Sequence, residues 1–385
     1  MKCQELFAKI DELSEEYLKV WETCANLESP TKDKKLVDEC GRYFAGLAEN
    51  LGFKVETYKI EKAGDIVCIT MNPDSDKAPV CFSGHIDTVH PVGLFGSPAA
   101  KVCREENKIY GPGVLDCKGG VVASLYAMHA LKEIGFTSRP VMLLLQTDEE
   151  VGSSLSGKAT INYICERAKN AVAFLNTEGY NKGYCVLERK GILRLKLDVK
   201  GVSCHSAKCF NGANAIAEAA YKIIELEKLK DKDGITCNCG VISGGTVANT
   251  VPEECSFVAD IRYPDEGSYE TVMSMVKEIA EKSYVNGCSC KVSLISHRPS
   301  MERSEKNFTL LDRINEIFAQ NGVDLIKANK SHGGSDAAYT TLAGIPTIDS
   351  IGARGDRIHS AEEFAYIDSL AECAKRLAAI AYYIK

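Results

Sequence analysis

The run Val80-Cys81-Phe82-Ser83-Gly84-His85-Ile86-Asp87 reads as an apolar strand that ends on two metal-competent side chains. The same phrase recurs downstream. Val141 to Leu145 is followed by Glu149 and Glu150, Ala171 to Leu175 by Glu178, and Pro346 to Ile351 by His359. Ile66 to Thr70 is a further apolar run, and helical patterns fall among them, notably Gly120 to Ile134 and Ile161 to Lys169. Such alternation indicates an α/β layer with a mostly parallel sheet. In an open sheet of this kind ligands bind in the crevice beyond the carboxyl ends of the strands, so the polar residues at those ends are expected to converge.

The pattern changes near Arg189. Leu195, Leu197 and Val199 alternate with charged residues, and Phe257, Ala259 and Ile261, then Val292 and Leu294, follow a looser version of the same period. Half-buried antiparallel strands read this way. A helix from about Ala213 to Leu229, a strand from Thr236 to Ser243 and a helix from Tyr269 to Lys282 complete the order strand, helix, strand, strand, helix, strand of a ferredoxin-like βαββαβ unit. From about Arg298 the α/β character returns, with helices at Leu310 to Gln320 and Ser335 to Leu342, a strand at Pro346 to Ile351 and a last helix from Asp368. The expectation is an α/β, mixed-sheet catalytic domain made of residues 1–188 and 298–385, with a smaller domain, 189–297, inserted into it.

Composition narrows the class of function. With 385 residues, 45% of them apolar and 26% charged, the chain fits neither a disordered tail nor a membrane bundle. Its formal charge of −7, with no sustained basic stripe, argues against nucleic acid as the main partner. Apolar runs are only strand-length, far short of the roughly 18 residues that span a bilayer. Met1 through Glu28 places Leu6, Ile10, Leu13, Tyr17 and Trp21 at helical spacing with no signal-like apolar core, so a mature amphipathic helix of a cytoplasmic protein is expected. Seventeen cysteines, odd in number and unevenly spaced, suggest reduced thiols rather than a disulfide framework. Cys237-x-Cys239 and Cys288-x-Cys290 allow two readings, a four-thiolate zinc site or small side chains sharing a strand face.

The strand-end residues have a physical logic. His85 and Asp87 are two apart, so in extended chain they share a side and the carboxylate can orient the imidazole. Glu149 and Glu150 are adjacent, so in extended chain they diverge; one can bind metal while the other takes a proton from water. Asp116 lies in Tyr110-Gly111-Pro112-Gly113-Val114-Leu115-Asp116-Cys117-Lys118-Gly119-Gly120, whose glycines permit close approach before a helix, which suits a bridging carboxylate. Two histidines and three carboxylates suit paired Zn²⁺, with Mn²⁺ or Co²⁺ as substitutes. Singly, each residue reads as a satisfied histidine or a solvated charge; acidic and imidazole groups at four strand ends do not.

His85-Ile86-Asp87-Thr88-Val89, Gly111-Pro112-Gly113 through Asp116-x-Lys118-Gly119-Gly120, Asp148-Glu149-Glu150-x-Gly152-Ser153, Asn176-Thr177-Glu178-Gly179 and Ile358-His359-Ser360 together resemble the M20 family of di-zinc peptidases, in its glutamate carboxypeptidase branch. The resemblance implies a zinc-peptidase catalytic domain and an inserted lid and dimerisation domain. It implies that His85, Asp116 and Glu178 hold one zinc and Asp116, Glu150 and His359 the other, with Glu149 as general base and a cis peptide after Asp116. Cys117 stands where many relatives carry Asp. Within Gly201-Val202-Ser203-Cys204-His205-Ser206-Ala207, His205 matches a histidine that reaches from the neighbouring subunit toward the oxyanion. Asn249 would assist substrate binding, Arg298 would hold the free carboxylate of the departing amino acid, and Gly334, in Gly333-Gly334-Ser335-Asp336-Ala337, would line that pocket. His90, His129 and His332 receive no role.

The implied activity is hydrolysis of an amide in a small peptide or N-acyl amino acid, releasing a C-terminal amino acid, glutamate being favoured, by a homodimer. A di- or tripeptidase and an N-acyl-amino-acid deacylase are the rivals within the class. A catalytically inactive peptide-binding or zinc-binding protein is the rival outside it, and the intact Glu149 with every expected ligand weighs against that.

Overall fold

Six strands build the sheet of the larger unit, in the spatial order Lys54–Tyr58, Ile66–Met71, Val141–Gln146, Val80–His85, Ala173–Asn176 and Thr347–Ile348. The computed structural model describes residues 2–231 and 234–385; Met1 of the expected N-terminal helix lies outside them. Val80–His85 pairs in parallel with both Val141–Gln146 and Ala173–Asn176, and the latter with Thr347–Ile348; the other two pairings are antiparallel. The helix Lys118–Glu133 supplies the crossover that a parallel pair needs. The four inner strands are buried along their whole length, which is why they read as unbroken apolar runs. Lys54–Tyr58, an exposed edge, carries no such signal in the sequence.

Alternate strand residues feed two apolar layers. Val67, Ile69, Phe82, Leu143 and Leu175 pack with Trp21, Tyr126, Leu131 and Leu377 of the helices Lys2–Asn26, Lys118–Glu133 and Asp368–Tyr383. Cys68, Cys81, Met142, Leu144 and Phe174 pack on the opposite side with Ile161 and Ile164 of the helix Ala159–Ala168. Trp21 is fully buried and donates its indole N–H to the Val114 carbonyl at 3.2 Å. Truncating so large a core side chain costs about 3–5 kcal/mol. Lys118, also fully buried, donates Nζ to the Cys24 and Leu27 carbonyls at 3.0 and 2.7 Å, which satisfies the end of the first helix with a cation.

The two glycines after Lys118 are required by proximity. A Cβ on Gly119 would lie 2.4 Å from the Val114 carbonyl oxygen, and one on Gly120 would lie 1.9 Å from that of Thr177. Only glycine lets the start of this helix press against the end of the Ala173–Asn176 strand. That contact sets Asp116, just before the helix, beside Glu178, just after the strand.

The second unit comprises residues 188–302 and 331–338, and the larger one holds the rest. Its sheet runs Thr236–Gly244, Glu254–Tyr263, Gly191–Lys200, Ser289–Arg298, all antiparallel. With the helices Ala215–Glu227 and Glu266–Glu281 the chain order is strand, helix, strand, strand, helix, strand, the ferredoxin-like arrangement. Leu193, Leu195, Leu197, Val199, Phe257, Ala259 and Ile261 form one buried face against Ala219, Leu226, Val272 and Val276 of the helices. Inside this core Lys222 and Glu218 pair at 2.9 Å, both essentially inaccessible. Lys222 also caps the Ile279, Ala280 and Lys282 carbonyls, while Glu218 accepts the Tyr284 and Val285 amides.

All seventeen cysteines are free thiols. Cys237 and Cys239 lie on one edge strand of the four-stranded sheet and Cys290 on the other, three inter-strand spacings away, or about 14 Å. A four-thiolate site is thereby excluded.

Candidate metal centre

His85 closes its strand, and its ring is fixed from behind. Nδ1 donates to the Asp87 carbonyl oxygen at 2.9 Å, whereas the Asp87 carboxylate lies at 3.5 Å. The main chain of Asp87 thus orients the imidazole where the sequence suggested the carboxylate. That carboxylate, fully buried, accepts the amide N–H groups of Glu149 and Glu150, both at 3.2 Å, and the Thr31 hydroxyl at 2.8 Å. Asp87 therefore holds two segments of the site together. Glu149 and Glu150 sit in a single 3₁₀ turn, Glu149–Val151, not in extended chain as expected, and Gly152 ends it at φ 65°. Asp148 anchors the turn by accepting from the Thr160 hydroxyl and the Ser156 amide.

With Nδ1 committed, His85 presents Nε2 to Asp116 Oδ1 at 3.1 Å and to Glu178 Oε1 at 3.8 Å. His359, at φ 61° in the left-handed region, presents Nε2 to Asp116 Oδ2 at 3.0 Å and to Glu150 Oε2 at 3.3 Å. The two oxygens of Asp116 thus face two imidazoles, each flanked by a second carboxylate. One ligand atom each of His85, Asp116 and Glu150 falls within 4.8 Å of the others. The peptide bond from Asp116 to Cys117 is cis.

The electrostatics are those of a site short of positive charge. Burial drives the Glu178 carboxyl well above the usual range, with Asp116 and Glu149 adding to the shift and His85 opposing it. Burial, against a hydrogen bond from His359, raises Glu150 to about 7. Burial would also raise Asp116, but hydrogen bonds from His359 and His85 hold it well below the ordinary carboxylate range. Hydrogen bonds to Asp116 and Glu150 lift His359 to about 10. Burial works against a charged His85, yet Cys117, Glu178 and the nearby Asp116 and Asp87 carboxylates raise it. An imidazole lone pair and a carboxylate oxygen at 3.1 Å repel unless a proton or a cation lies between them. Three carboxylates, −3 in all, offset most of the +4 of two divalent cations, and nitrogen and oxygen donors of this kind suit zinc, manganese or cobalt. The residues present fit such a pair.

A residue outside every motif holds this loop. Glu363 is fully buried. Its Oε1 accepts the Leu115 and Asp116 amides at 2.9 and 3.0 Å, and its Oε2 meets His90 Nε2 at 2.8 Å and the Gly113 amide at 3.4 Å. The only local signal is an acid four residues beyond His359. His90, given no role above, is its buried partner.

The remaining expected residues lie in the smaller unit. His205 ends a two-residue strand paired with Thr250–Val251, and the Ser206 amide donates to the Asn249 carbonyl, so His205 and Asn249 are neighbours, both exposed. His205 Nδ1 accepts the Ala207 amide, which leaves the ring proton of a neutral imidazole on Nε2. Arg298 is buried rather than on the surface, with Asp336 at 3.9 Å. Gly334 lies against it; a Cβ there would meet Arg298 Cδ at 2.7 Å.

The sequence profile of peptidase family M20/M25/M40 matches residues 81–383. Carboxypeptidase G2 of a Pseudomonas species (strain RS-16) is 29% identical over 358 residues, 91% of this chain and 84% of that protein. Acetylornithine deacetylase of Myxococcus xanthus is 28% identical over 62% of this chain and 65% of its own length. Among solved structures, a tripeptidase from Staphylococcus aureus superposes with a TM-score of 0.80 at 20% identity, covering 96% of this chain and 98% of that one.

Proposed function

From the premise that the chain belongs to peptidase family M20/M25/M40, and is therefore a hydrolase, we propose that it cleaves the amide bond of a small peptide or N-acyl amino acid and releases an amino acid with a free carboxylate. The observation that carries this reading is the pair of donor sets sharing Asp116. In it, His85, Asp116 and Glu178 hold one cation and Asp116, Glu150 and His359 the other, both zinc, with manganese or cobalt as substitutes. Cations so held would lower the pKa of a water and polarise the scissile carbonyl. Glu149, beside the ligands but outside both sets, takes the proton of the attacking water and returns it to the leaving amine. Asp87 keeps His85 and the Glu149–Glu150 turn in register.

Four residues of the smaller unit complete the reading. Reaching from the neighbouring subunit of a dimer, His205 donates its Nε2–H to the developing oxyanion, and Asn249 assists substrate binding. The planar fork of Arg298 binds the free carboxylate of the departing amino acid, with Gly334 leaving room alongside. Exposed Val241 and Ile242 on the edge strand, and Ile216, Tyr221 and Ile224 on the neighbouring helix, support a homodimer formed through this unit. Among the described residues no helix is long and apolar enough to cross a membrane. The abundance of free thiols supports work in the reducing cytoplasm.

Likeness to carboxypeptidase G2 over nine-tenths of the chain favours a carboxypeptidase, glutamate being the preferred leaving residue, over a deacylase or a tripeptidase. Metal analysis coupled to mass-spectrometric product identification tests this, using dipeptides, tripeptides and N-acyl amino acids with free and with amidated carboxyl ends. Release of the C-terminal amino acid only from substrates with a free carboxylate is expected. Cleavage indifferent to amidation would remove the role of Arg298, and no product from any metal-loaded sample would overturn the assignment.

A further inference from the structure

The edge strand Thr236–Gly244 of the smaller unit directs two thiols toward the last residue of the helix Ala215–Glu227. Cys237 is buried in the apolar core and Cys239 packs half-buried against it, two residues on and on the same face. The register breaks immediately beyond, between Cys239 and Val241, which ends the regular alternation at the pair. One ligand atom each of Glu227, Cys237 and Cys239 lies within 4.8 Å of the other two. In a tetrahedral site with metal–sulfur bonds of about 2.3 Å and metal–oxygen bonds of about 2.1 Å, ligand atoms stand roughly 3.4–3.8 Å apart. A small rotation of each side chain closes that gap.

We propose that Glu227, Cys237 and Cys239 form a separate binding site for one thiophilic divalent cation of the zinc and cadmium type. The donor set argues for softness, since two sulfurs and one carboxylate contrast with the nitrogen and oxygen donors of the larger unit. Glu227 is already oriented: Oε1 accepts the Cys239 amide at 2.9 Å and Oε2 takes the Lys230 ammonium at 2.5 Å. Lys230 is itself exposed and free to swing aside or to stay as an outer partner. With it, two thiolates, one carboxylate, one ammonium and one divalent cation sum to zero charge. The thiols share a hydrogen bond that pushes Cys237 up and Cys239 down, so one thiolate is the easier to form. Three protein donors leave the fourth position for water. The ion would tie the end of a helix to an edge strand, and the site shares no residue with the His and carboxylate centre.

The full-length, reduced protein is titrated with Cd²⁺ while the ultraviolet thiolate-to-cadmium charge-transfer band is followed and bound ions are counted by native mass spectrometry. Wild type should bind one more ion than Cys239→Ser, and the band should be lost in Cys237→Ser and in Cys239→Ser. It should persist in Cys117→Ala, which removes the thiol beside the other centre, and in Glu227→Gln, with weaker binding. Cd²⁺ or Zn²⁺ should also protect Cys237 and Cys239 from alkylation in wild type, read peptide by peptide, a readout independent of how well any variant folds. A band that survives loss of Cys237, alkylation at both cysteines unaffected by the cation, or a resting Cys237–Cys239 disulfide would each overturn the proposal.

Discussion

Replacing Glu363 by Gln removes one charge from a buried carboxylate that organises the Asp116 loop, while keeping its shape. The glutamine oxygen can still accept the Leu115 and Asp116 amides, now at 2.9 and 3.0 Å from a neutral acceptor. Charge-assisted bonds contribute about 1.5–3 kcal/mol and neutral ones about 0.5–1.5 kcal/mol, so each amide loses about 1 kcal/mol. The new NH₂ faces His90 Nε2, which can turn acceptor by changing tautomer, and the Gly113 amide, which cannot. The sum is roughly 2–3 kcal/mol of stability, readable by urea unfolding of the metal-free protein. Because the carboxylate sets the position of the proposed bridging ligand, cation affinity should also fall about 10–100-fold. Competition against a chelator measures that directly. A variant that is less stable but binds the cation as wild type does would refute the positioning role and leave Glu363 a purely structural residue.

Glu149→Gln should lower kcat by about 10²–10⁴-fold with cation content unchanged, since it removes the proton acceptor and none of the ligands; wild-type turnover would dismiss the general-base assignment. Cation affinity should rise with pH. Glu150, raised to about 7, and His359, raised to about 10, hold protons at mildly acidic pH that a cation must displace. Each proton released contributes up to about tenfold per pH unit below the pKa of its group. Flat affinity between about pH 6 and 8 would contradict this linkage. Lys222→Met strands Glu218 in the core of the smaller unit and should cost about 3–5 kcal/mol; an unchanged urea midpoint for that unit's unfolding would show that the pair is dispensable.

The larger unit was legible where chemistry is local. Strands buried on both faces must be apolar throughout, so Ile66–Met71, Val80–His85, Val141–Gln146 and Ala173–Asn176 stand out from their composition alone. The half-buried strands of the smaller unit announce themselves by alternation at Leu195, Leu197 and Val199. The exposed strand Lys54–Tyr58 has neither signature and was silent. Position after apolar strands singled out His85, Glu149, Glu150, Glu178 and His359, and the glycine-flanked segment before a helix singled out Asp116, because polar groups at strand ends need no knowledge of loops to be expected together.

Amino-acid order alone marked the strands and helices with a buried face and the side chains that could carry the chemistry, since burial period and residue type are written within a few positions. What each polar atom meets was settled by packing between segments far apart in the chain. The main chain of Asp87, not its carboxylate, fixes His85. The Asp116 amide finds Glu363 across 247 positions of chain. Cys237 and Cys290 end on opposite edges of one sheet. Residues 331–338 join the smaller unit, where Gly334 meets Arg298. Such partners are chosen by chain topology, and a buried donor or acceptor accepts whichever group the fold delivers to it.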